Sequence, residues 1–163
     1  MSEPQAGSDA RAMRTGAVRH GESFVVNGSK CWISRGAVSH VFLVDVVFRD
    51  EEKSPKGLLL IDRDTPGLEI GRIEPMMGHR GSPSTELIFR DCRVPVSNRM
   101  AHGDFSAALV AMSLSRCCNA AIALGVAQRA YDELVEHLKQ RAAFGKHLAD
   151  FQGLRWMIED MAV

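Results

Sequence analysis

The chain has 163 residues, of which 45% are hydrophobic and 25% charged, and its formal net charge at pH 7 is zero. This composition is typical of a globular protein with enough chain to bury a real core, and it carries no electrostatic footprint for nucleic acid or an anionic membrane. No apolar run approaches the roughly 20 residues of a membrane span, and four cysteines without CxxC spacing and six scattered histidines predict reduced thiols and no metal site.

The chain opens with a loop of small and polar residues, Met1 to Asp9. Pro4 stiffens the backbone and Gly7 permits a positive φ angle, so the segment predicts a shaped loop that a flat or phosphorylated ligand can approach closely. An ordinary polar N-terminal tail is the alternative that the local sequence leaves open.

Short strands and turns are predicted from Glu22 to Val94. Asn27-Gly28 separates two apolar runs, and because this pair supplies the two positive φ angles of a type I′ turn, Phe24 to Ile33 is predicted to form a β-hairpin. Further strands are predicted over 41–48, 57–61, 68–73, 85–90 and 92–94. Five or six short strands with turns between them predict a closed barrel or a sandwich.

The hydrophobic period changes to that of a helix after Pro95. Asp104 is a candidate cap, and apolar residues then recur at steps of three and four as far as Leu138, which predicts one long helix closing near Gly145. A second helix is predicted from about Asp150. A helix of about 35 residues is about 52 Å long, too long for a barrel of about 100 residues to cover, so further chain or another subunit must cover it.

Arg116 interrupts the apolar stripe of the long helix. A charge in a dry interface needs a partner, so Arg116 predicts either a ligand contact or a structural ion pair.

Four motifs, in this order, resemble those of the acyl-CoA dehydrogenases. They are Ser2-Glu3-Pro4-x-Ala6-Gly7-Ser8-Asp9, Cys31-Trp32-Ile33-Ser34, Met77-Gly78-x-Arg80-x-Ser82, and Arg141-x-x-Phe144-Gly145 followed by Gln152. The resemblance runs over nearly the whole chain. It implies an α+β fold, with a small antiparallel β-barrel over residues 1–100 (the middle domain) and, over 101–163, the first two long helices of an incomplete four-helix bundle.

The resemblance also implies a flavoenzyme that dehydrogenates acyl-CoA thioesters between the α- and β-carbons, transfers hydride to N5 of FAD and passes electrons to an electron-transfer flavoprotein. The implied FAD-binding residues lie in the opening loop, around the tryptophan motif and after the long helix: Met1, Ser2, Gly7, Ser8, Trp32, Ile33, Ser34, Arg141, Ala143, Phe144, Phe151 and Gln152. The implied substrate contacts are Ser8, Ser113 and Arg116, although relatives usually carry an acidic residue at the position of Ser113.

Two of these roles have a clear chemical rationale. Trp32 is expected beside the flavin and Ser34 is expected to hydrogen-bond its ring, because residues i and i+2 of a strand share a face. Arg141 is expected to meet the FAD diphosphate of a neighbouring subunit through its planar guanidinium, which implies a homo-oligomer, a dimer or a tetramer. By residue type alone, a core position for Trp32, a helix-terminal role for Arg141 and simple packing for Phe144 and Phe151 stay open.

No residue is assigned as the catalytic base. In most relatives a glutamate in a late helix, past the position of Val163, takes the α-proton, and a minority place it near positions 113 to 116. This chain has no acidic residue between Asp104 and Asp132. The sequence therefore predicts a fragment that is inactive alone. The resemblance implies a protein of the bacterial cytoplasm or the mitochondrial matrix.

Two alternatives to the dehydrogenase remain. An acyl-CoA oxidase or a flavin monooxygenase relative would share the fold and differ in how the reduced flavin meets oxygen. A non-catalytic acyl-CoA- or protein-binding module would keep the fold without the chemistry.

Overall fold

The computed structural model describes the backbone of residues 1–163 and the side chains of residues 1–100, 110 and 112–163. The chain divides into two compact units, Met1–Leu109 and Val110–Val163. The first unit is built on a seven-stranded sheet, and the second is helical.

The sheet of the first unit has the strand order β5-β6-β2-β1-β3-β4-β7. Its strands are β1 (Gly16–His20), β2 (Ser23–Ser34), β3 (Val41–Phe48), β4 (Lys56–Asp62), β5 (Leu68–Ile73), β6 (Ser84–Pro95) and β7 (Arg99–Asp104). Among the strand pairs described, none joins β5 to β7, so the closed barrel expected from the sequence is not found in these pairings.

The sheet is mixed, whereas the sequence led us to expect an antiparallel one. β1 pairs parallel with β3, with Gly16 opposite Val47 and Ala17 opposite Phe48. In a simple meander β3 would pair with β2, but β6 occupies that edge of β2 over most of its length. β3 therefore pairs with the free edge of β1, and since β2 has reversed the chain once, β3 runs in the direction of β1.

The predicted hairpin at Asn27-Gly28 is wrong. β2 continues through these residues as one strand, and its pairing with β6 shifts register between Val26 and Gly28. Asn27 accepts a hydrogen bond from the Asp91 N–H at 2.8 Å and donates its amide to the Asp91 carboxylate at 3.0 Å. Asn27-Gly28 therefore forms a β-bulge rather than a turn.

Gly28 keeps the positive φ that the sequence suggested, at 144°. The physical need is a close approach, because a Cβ at Gly28 would lie 2.7 Å from the Cα of Thr15. The actual hairpin joins β1 to β2, with His20 opposite Ser23 and Gly21 at φ 61°.

The core of the first unit lies on one face of the sheet. Alternate side chains of β3 point into it, and β1, β2, β4 and β6 contribute the remainder. Its buried members are Ala17, Phe24, Val26, Phe42, Val44, Val46, Phe48, Leu59, Ile61, Leu87, Phe89, Cys92 and Val94. Each large side chain buried in this way contributes about 1.5–3 kcal/mol to folding.

The second unit confirms the long helix and its successor. α1 (Phe105–Gln140) has 36 residues, about 54 Å at 1.5 Å per residue, and begins inside the first unit. It ends five residues before Gly145, since a small hairpin of β8 (Ala142–Ala143) and β9 (Lys146–His147) intervenes before α2 (Gln152–Ala162).

The described part of α1 exposes apolar side chains on more than one face. Val110 and Leu114 lie on one face and Val126 on nearly the opposite one, and each is about 70% exposed, whereas Leu138 near the C-terminal end is buried. A helix that is apolar around much of its circumference is normally covered on several sides. None of the helices in the described part of the chain has the length and apolar character needed to cross a lipid bilayer.

Candidate functional site

The opening segment is a structured loop fastened to β2. Glu3 and Ala6 exchange backbone hydrogen bonds of 2.9 and 3.0 Å across a tight turn. The carbonyl of Ser2 accepts a hydrogen bond from the N–H of Cys31 at 2.9 Å. The loop is thereby held beside the residue that precedes Trp32.

The buried carboxylate of Glu3 holds this loop in place. Its Oε1 accepts hydrogen bonds from Nζ of Lys30 at 2.7 Å and from the N–H of Thr15 at 3.0 Å. Its Oε2 accepts from the N–H of Arg14 and from the amide of Gln5, each at 2.6 Å. Burial raises the pKa of the Glu3 carboxyl, but the hydrogen bonds from Lys30, Thr15 and Arg14 more than offset that effect and lower it to about 2.

Sequence reasoning missed the pairing of Glu3 with Lys30. The two residues are 27 positions apart, and each lies inside or beside a motif that was interpreted for other residues. The available signal was a lysine within a strand of the core sheet, which shows that a partner is needed without showing which carboxylate supplies it.

Gly7 and Ser8 follow the turn and are exposed. A Cβ placed on Gly7 would meet nothing within 4 Å, and Gly7 is not among the glycines with positive φ. Its small size therefore leaves room beside the loop, while the conformational freedom suggested by the sequence is not used.

Trp32 is a surface residue in a strained backbone conformation. Its side chain is 58% exposed, its φ is 58°, and the pairing of β2 with β6 shifts register between Lys30 and Ile33. A non-glycine residue at positive φ costs on the order of 1–3 kcal/mol, and such strain clusters at ligand sites. The alternative of a core tryptophan is wrong for this chain.

A cavity of about 180 Å³ lies where the opening loop meets the end of β2. Met1, Ile33 and Ser34 line it together with Lys30 and residues of β3. Trp32, Gly7 and Ser8 are exposed and lie outside this lining. The structure thus brings together three of the seven residues predicted in this unit to bind FAD. Of the others, Gly7, Ser8 and Trp32 are exposed and Ser2 is half-buried outside this lining.

Arg63 fixes the loop that follows Ser34. Its Nη1 donates to the carbonyls of Gly36, Ala37 and Ser39 at 3.2, 3.0 and 3.2 Å. One guanidinium thereby satisfies three carbonyls of a surface loop and makes one side of the cavity rigid.

The second group of predicted residues lies around the β8–β9 hairpin. Phe144 and Gly145 form its two-residue loop with φ angles of 54° and 80°, the pattern that a type I′ turn requires. Phe144 is 96% exposed, and its ring meets that of Phe151 edge-on with centroids 6.4 Å apart. An apolar cavity of about 380 Å³ beside these rings is also lined by Leu148, Gly153 and Leu154.

Arg141 is the first residue beyond α1, and its side chain is exposed. Its N–H donates to the carbonyl of His137 and its carbonyl accepts from the N–H of Leu148, both at 2.8 Å. These bonds fix its backbone between helix and hairpin, next to Ala143, which is partly buried, while Gln152 is exposed at the start of α2. The five predicted residues of this unit therefore lie in one segment, 141–152.

The two predicted substrate residues on α1 are both exposed. Ser113 and Arg116 lie three positions apart, and no ion pair to Arg116 is found among the described residues. The loop with the Met77-Gly78 motif lines a separate cavity of about 300 Å³, to which His79 and Arg80 contribute. Within the described side chains, no group of three or more potential metal ligands is found.

Two family models match the chain. "Acyl-CoA dehydrogenase, middle domain" matches residues 1–92, and "Acyl-CoA dehydrogenase, C-terminal domain" matches residues 104–163. The chain belongs to the acyl-CoA dehydrogenase family. It is 42% identical over 165 residues to cyclohex-1-ene-1-carbonyl-CoA dehydrogenase of Geobacter metallireducens, an alignment that covers 99% of this chain and 43% of that protein.

Solved structures of the family share the fold. An acyl-CoA dehydrogenase from Geobacillus kaustophilus is 31% identical, with a TM-score of 0.92 over 99% of this chain and 44% of that one. A glutaryl-CoA dehydrogenase from Mycobacterium smegmatis in complex with FADH2 is 28% identical, with a TM-score of 0.89 over 98% of this chain and 40% of that one. The chain spans less than half the length of these family members.

Proposed function

We propose that this chain forms the flavin-binding part of an FAD-dependent enzyme that dehydrogenates acyl-CoA thioesters between the α- and β-carbons. The observation that carries the proposal is the strained, exposed Trp32, held two residues before Ser34 and beside a loop that Glu3 fastens to the same strand. Membership of the acyl-CoA dehydrogenase family supports it.

The residues of the first unit fit the isoalloxazine ring of FAD. An exposed indole offers a flat apolar face, and a hydroxyl two residues away offers a donor and an acceptor for ring heteroatoms. On the exposed part of the loop, Gly7 leaves its backbone accessible to a ligand and Ser8 adds a hydroxyl. Met1, Ser2 and Ile33 are the remaining residues of the proposed flavin-binding surface. When bound, FAD supplies the acceptor for the hydride that leaves the β-carbon of the substrate.

The segment 141–152 fits the role of holding a second subunit's FAD. Arg141 offers a planar fork of donors to a diphosphate, and Phe144 offers an aromatic ring that is 96% exposed although it meets Phe151 edge-on. Ala143, Phe151 and Gln152 lie on the same segment. In this proposal the protein is a homo-oligomer, a dimer or a tetramer, in which each subunit completes its neighbour's site.

The remaining assignments follow the same proposal. Ser8, Ser113 and Arg116 contact the acyl-CoA, and an electron-transfer flavoprotein receives the electrons in the bacterial cytoplasm or mitochondrial matrix. Residues 1–100 form the middle domain, whose sheet curls into a barrel, and 101–163 provide the first two helices of a four-helix bundle.

The test uses the full-length protein and a matched pair of tryptophan variants. Trp32→Ala is expected to weaken FAD binding about five- to 150-fold, since stacking on an aromatic side chain contributes about 1–3 kcal/mol by alanine substitution. Trp156→Ala is the control, because Trp156 is also 58% exposed and lies on α2. The measurement is the dissociation constant from FAD titration of the apoprotein.

A colourless full-length protein that does not bind added FAD would contradict the proposal and favour a binding module. Bleaching of the flavin band by acyl-CoA under nitrogen supports the dehydrogenase. Rapid oxygen uptake during turnover would instead indicate the oxidase or monooxygenase relative.

A further inference from the structure

The chain contains a buried ion pair to which none of the proposed contacts with FAD or acyl-CoA is assigned. Glu3 and Lys30 are 4% and 1% exposed, and neither belongs to the core cluster of the sheet. We propose, on the basis of the proposed function, that Glu3 is a positioning residue that holds the opening loop and the end of β2 in the arrangement that FAD requires.

The carboxylate of Glu3 collects donors from three separate segments. Gln5 belongs to the opening loop, Arg14 and Thr15 immediately precede β1, and Lys30 lies in β2 two residues before Trp32. Because all four donors converge on one side chain, the loop cannot move away from β2 without leaving a buried carboxylate short of partners. Such a loss costs about 1–3 kcal/mol per unsatisfied group, and more when the group is charged.

The arrangement requires a carboxylate rather than any side chain of this size. Ionised glutamate offers two acceptor oxygens and no donor, which matches four donors that point at it. Glutamine has nearly the same shape but turns one oxygen into an NH₂ group. In Glu3→Gln the NH₂ group would replace one of the two oxygens. It would then face two existing donors, either Lys30 and Thr15 or Arg14 and Gln5.

Glu3→Gln is expected to affect the site in addition to lowering the stability of the fold. The residues of the core cluster lie on β1 to β4 and β6, and none of the strand pairs of β2 and β6 includes Glu3. A loop that loses its anchor must be ordered when the ligand binds, and this cost appears as weaker affinity.

The test compares two variants of the full-length protein. Glu3→Gln removes the carboxylate that holds the opening loop. Val94→Ala is the control and removes core volume opposite Phe24 of β2. Phe24 is six residues from Lys30, about 20 Å along the strand. FAD titration of the apoproteins is expected to give Glu3→Gln a dissociation constant at least about tenfold above wild type. Val94→Ala is expected to stay within about twofold of wild type although it also lowers the unfolding temperature.

A second readout does not require flavin. In the apoprotein, the amide hydrogens of Ala6 and Cys31, which are bonded within the opening loop and to it, are expected to exchange faster in Glu3→Gln and at the wild-type rate in Val94→Ala, measured by mass spectrometry. If Glu3→Gln does not fold, Gln5→Ala removes only one exposed donor and is expected to weaken FAD binding about threefold.

The outcomes separate the two proposals. If the wild-type protein binds no FAD, the proposed function fails and the positioning role fails with it. If the wild type binds FAD and Glu3→Gln or Gln5→Ala binds it as tightly, the proposed function stands and the positioning role is overturned. Equal weakening by Val94→Ala would also overturn it, because the effect would then be one of general stability.

Discussion

Nζ of Lys30 lies 2.7 Å from Oε1 of Glu3, and the two side chains are only 1% and 2% exposed. Removing one partner of such a pair leaves the other charge buried without compensation, which costs about 3–5 kcal/mol. Lys30→Met is therefore expected to lower the free energy of unfolding by about that amount, measured by urea denaturation.

The control for this variant is Arg90→Met. Arg90 pairs with Glu69 at 2.6 Å, but these side chains are 71% and 54% exposed. Surface ion pairs contribute at most about 1 kcal/mol, so Arg90→Met is expected to have a small effect. Similar losses in the two variants would show that burial does not strengthen the dependence on the partner.

The depressed pKa of Glu3 predicts a defined pH dependence of stability. The pKa of its carboxyl is about 2 in the folded chain against an ordinary value of 4.5, so the folded state favours the ionised form. The resulting stabilisation, about 3 kcal/mol, is fully present above pH 4.5 and is lost as the pH falls from about 4.5 to about 2. Glu3→Gln lacks this contribution at every pH.

The measurement is the free energy of unfolding of wild type and Glu3→Gln from pH 6 down to pH 2. The two curves are expected to converge below about pH 4.5. Parallel curves over this range would mean that Glu3 has the same pKa in the folded and unfolded states.

Two glycines with positive φ allow backbone strain to be separated from steric contact. At Gly21 (φ 61°) an added Cβ meets nothing within 4 Å, whereas at Gly28 (φ 144°) it lies 2.7 Å from the Cα of Thr15. Gly21→Ala is expected to cost about 1–2 kcal/mol from the backbone alone. Gly28→Ala is expected to cost at least about 1 kcal/mol more than Gly21→Ala, because the backbone at Gly28 or Thr15 must shift to make room for the Cβ.

Thermal unfolding of the two glycine variants under the same conditions provides the comparison. An equal loss in both would indicate that β2 moves away from Thr15 freely, and that the bulge is not fixed by this approach.

Phe144 provides a test in which affinity and stability separate. Its φ of 54° suits asparagine better than phenylalanine, but the exposed ring contacts only Phe151 among the described aromatic pairs. In Phe144→Asn the relief of strain and the loss of the aromatic contact, each about 1 kcal/mol, nearly cancel in the free energy of unfolding. FAD affinity is nevertheless expected to fall about tenfold, since the ring is proposed to bind the neighbouring subunit's flavin.

Gly153→Ala serves as the control for Phe144→Asn, because Gly153 lies one residue beyond the segment 141–152 and its added Cβ meets nothing within 4 Å. Retention of full FAD affinity in Phe144→Asn would contradict the assignment of this residue.

The two cysteines of the sheet are expected to resist alkylation in the native protein. Burial raises the pKa of Cys92 to about 11, and burial followed by the charge of Glu86 raises that of Cys31. The thiolate is the reactive form, so iodoacetamide at pH 8 should leave both unmodified. Mass spectrometry of peptides labelled in the native and guanidinium-unfolded states checks this, and rapid native labelling at Cys92 would contradict its burial.

The sequence was most informative where one local pattern decides the outcome. The 3.6-residue period after Asp104 predicted α1, because no strand or turn pattern repeats with helical spacing over 36 residues. The apolar runs at 41–48 and 57–61 likewise match β3 and β4 closely.

The sequence misled us where a distant contact decides a local conformation. Asn27-Gly28 has the composition of a turn, yet Asp91 and Thr15 hold it inside β2 as a bulge. The partner of Lys30 was beyond reach for the same reason, since only the folded sheet brings Glu3 to it. The predicted site residues could be identified by motif, but their exposure and strain could not.

The three carbonyls held by Arg63 also bear on the kinetics of ligand binding. The loop after Ser34 is ordered by Arg63 before a ligand binds, so it needs no slow rearrangement afterwards. The amide hydrogens of Gly36 and Ala37 should therefore exchange at similar rates with the cavity empty or filled. Association at this entrance would then be governed by diffusion and orientation rather than by a gating motion.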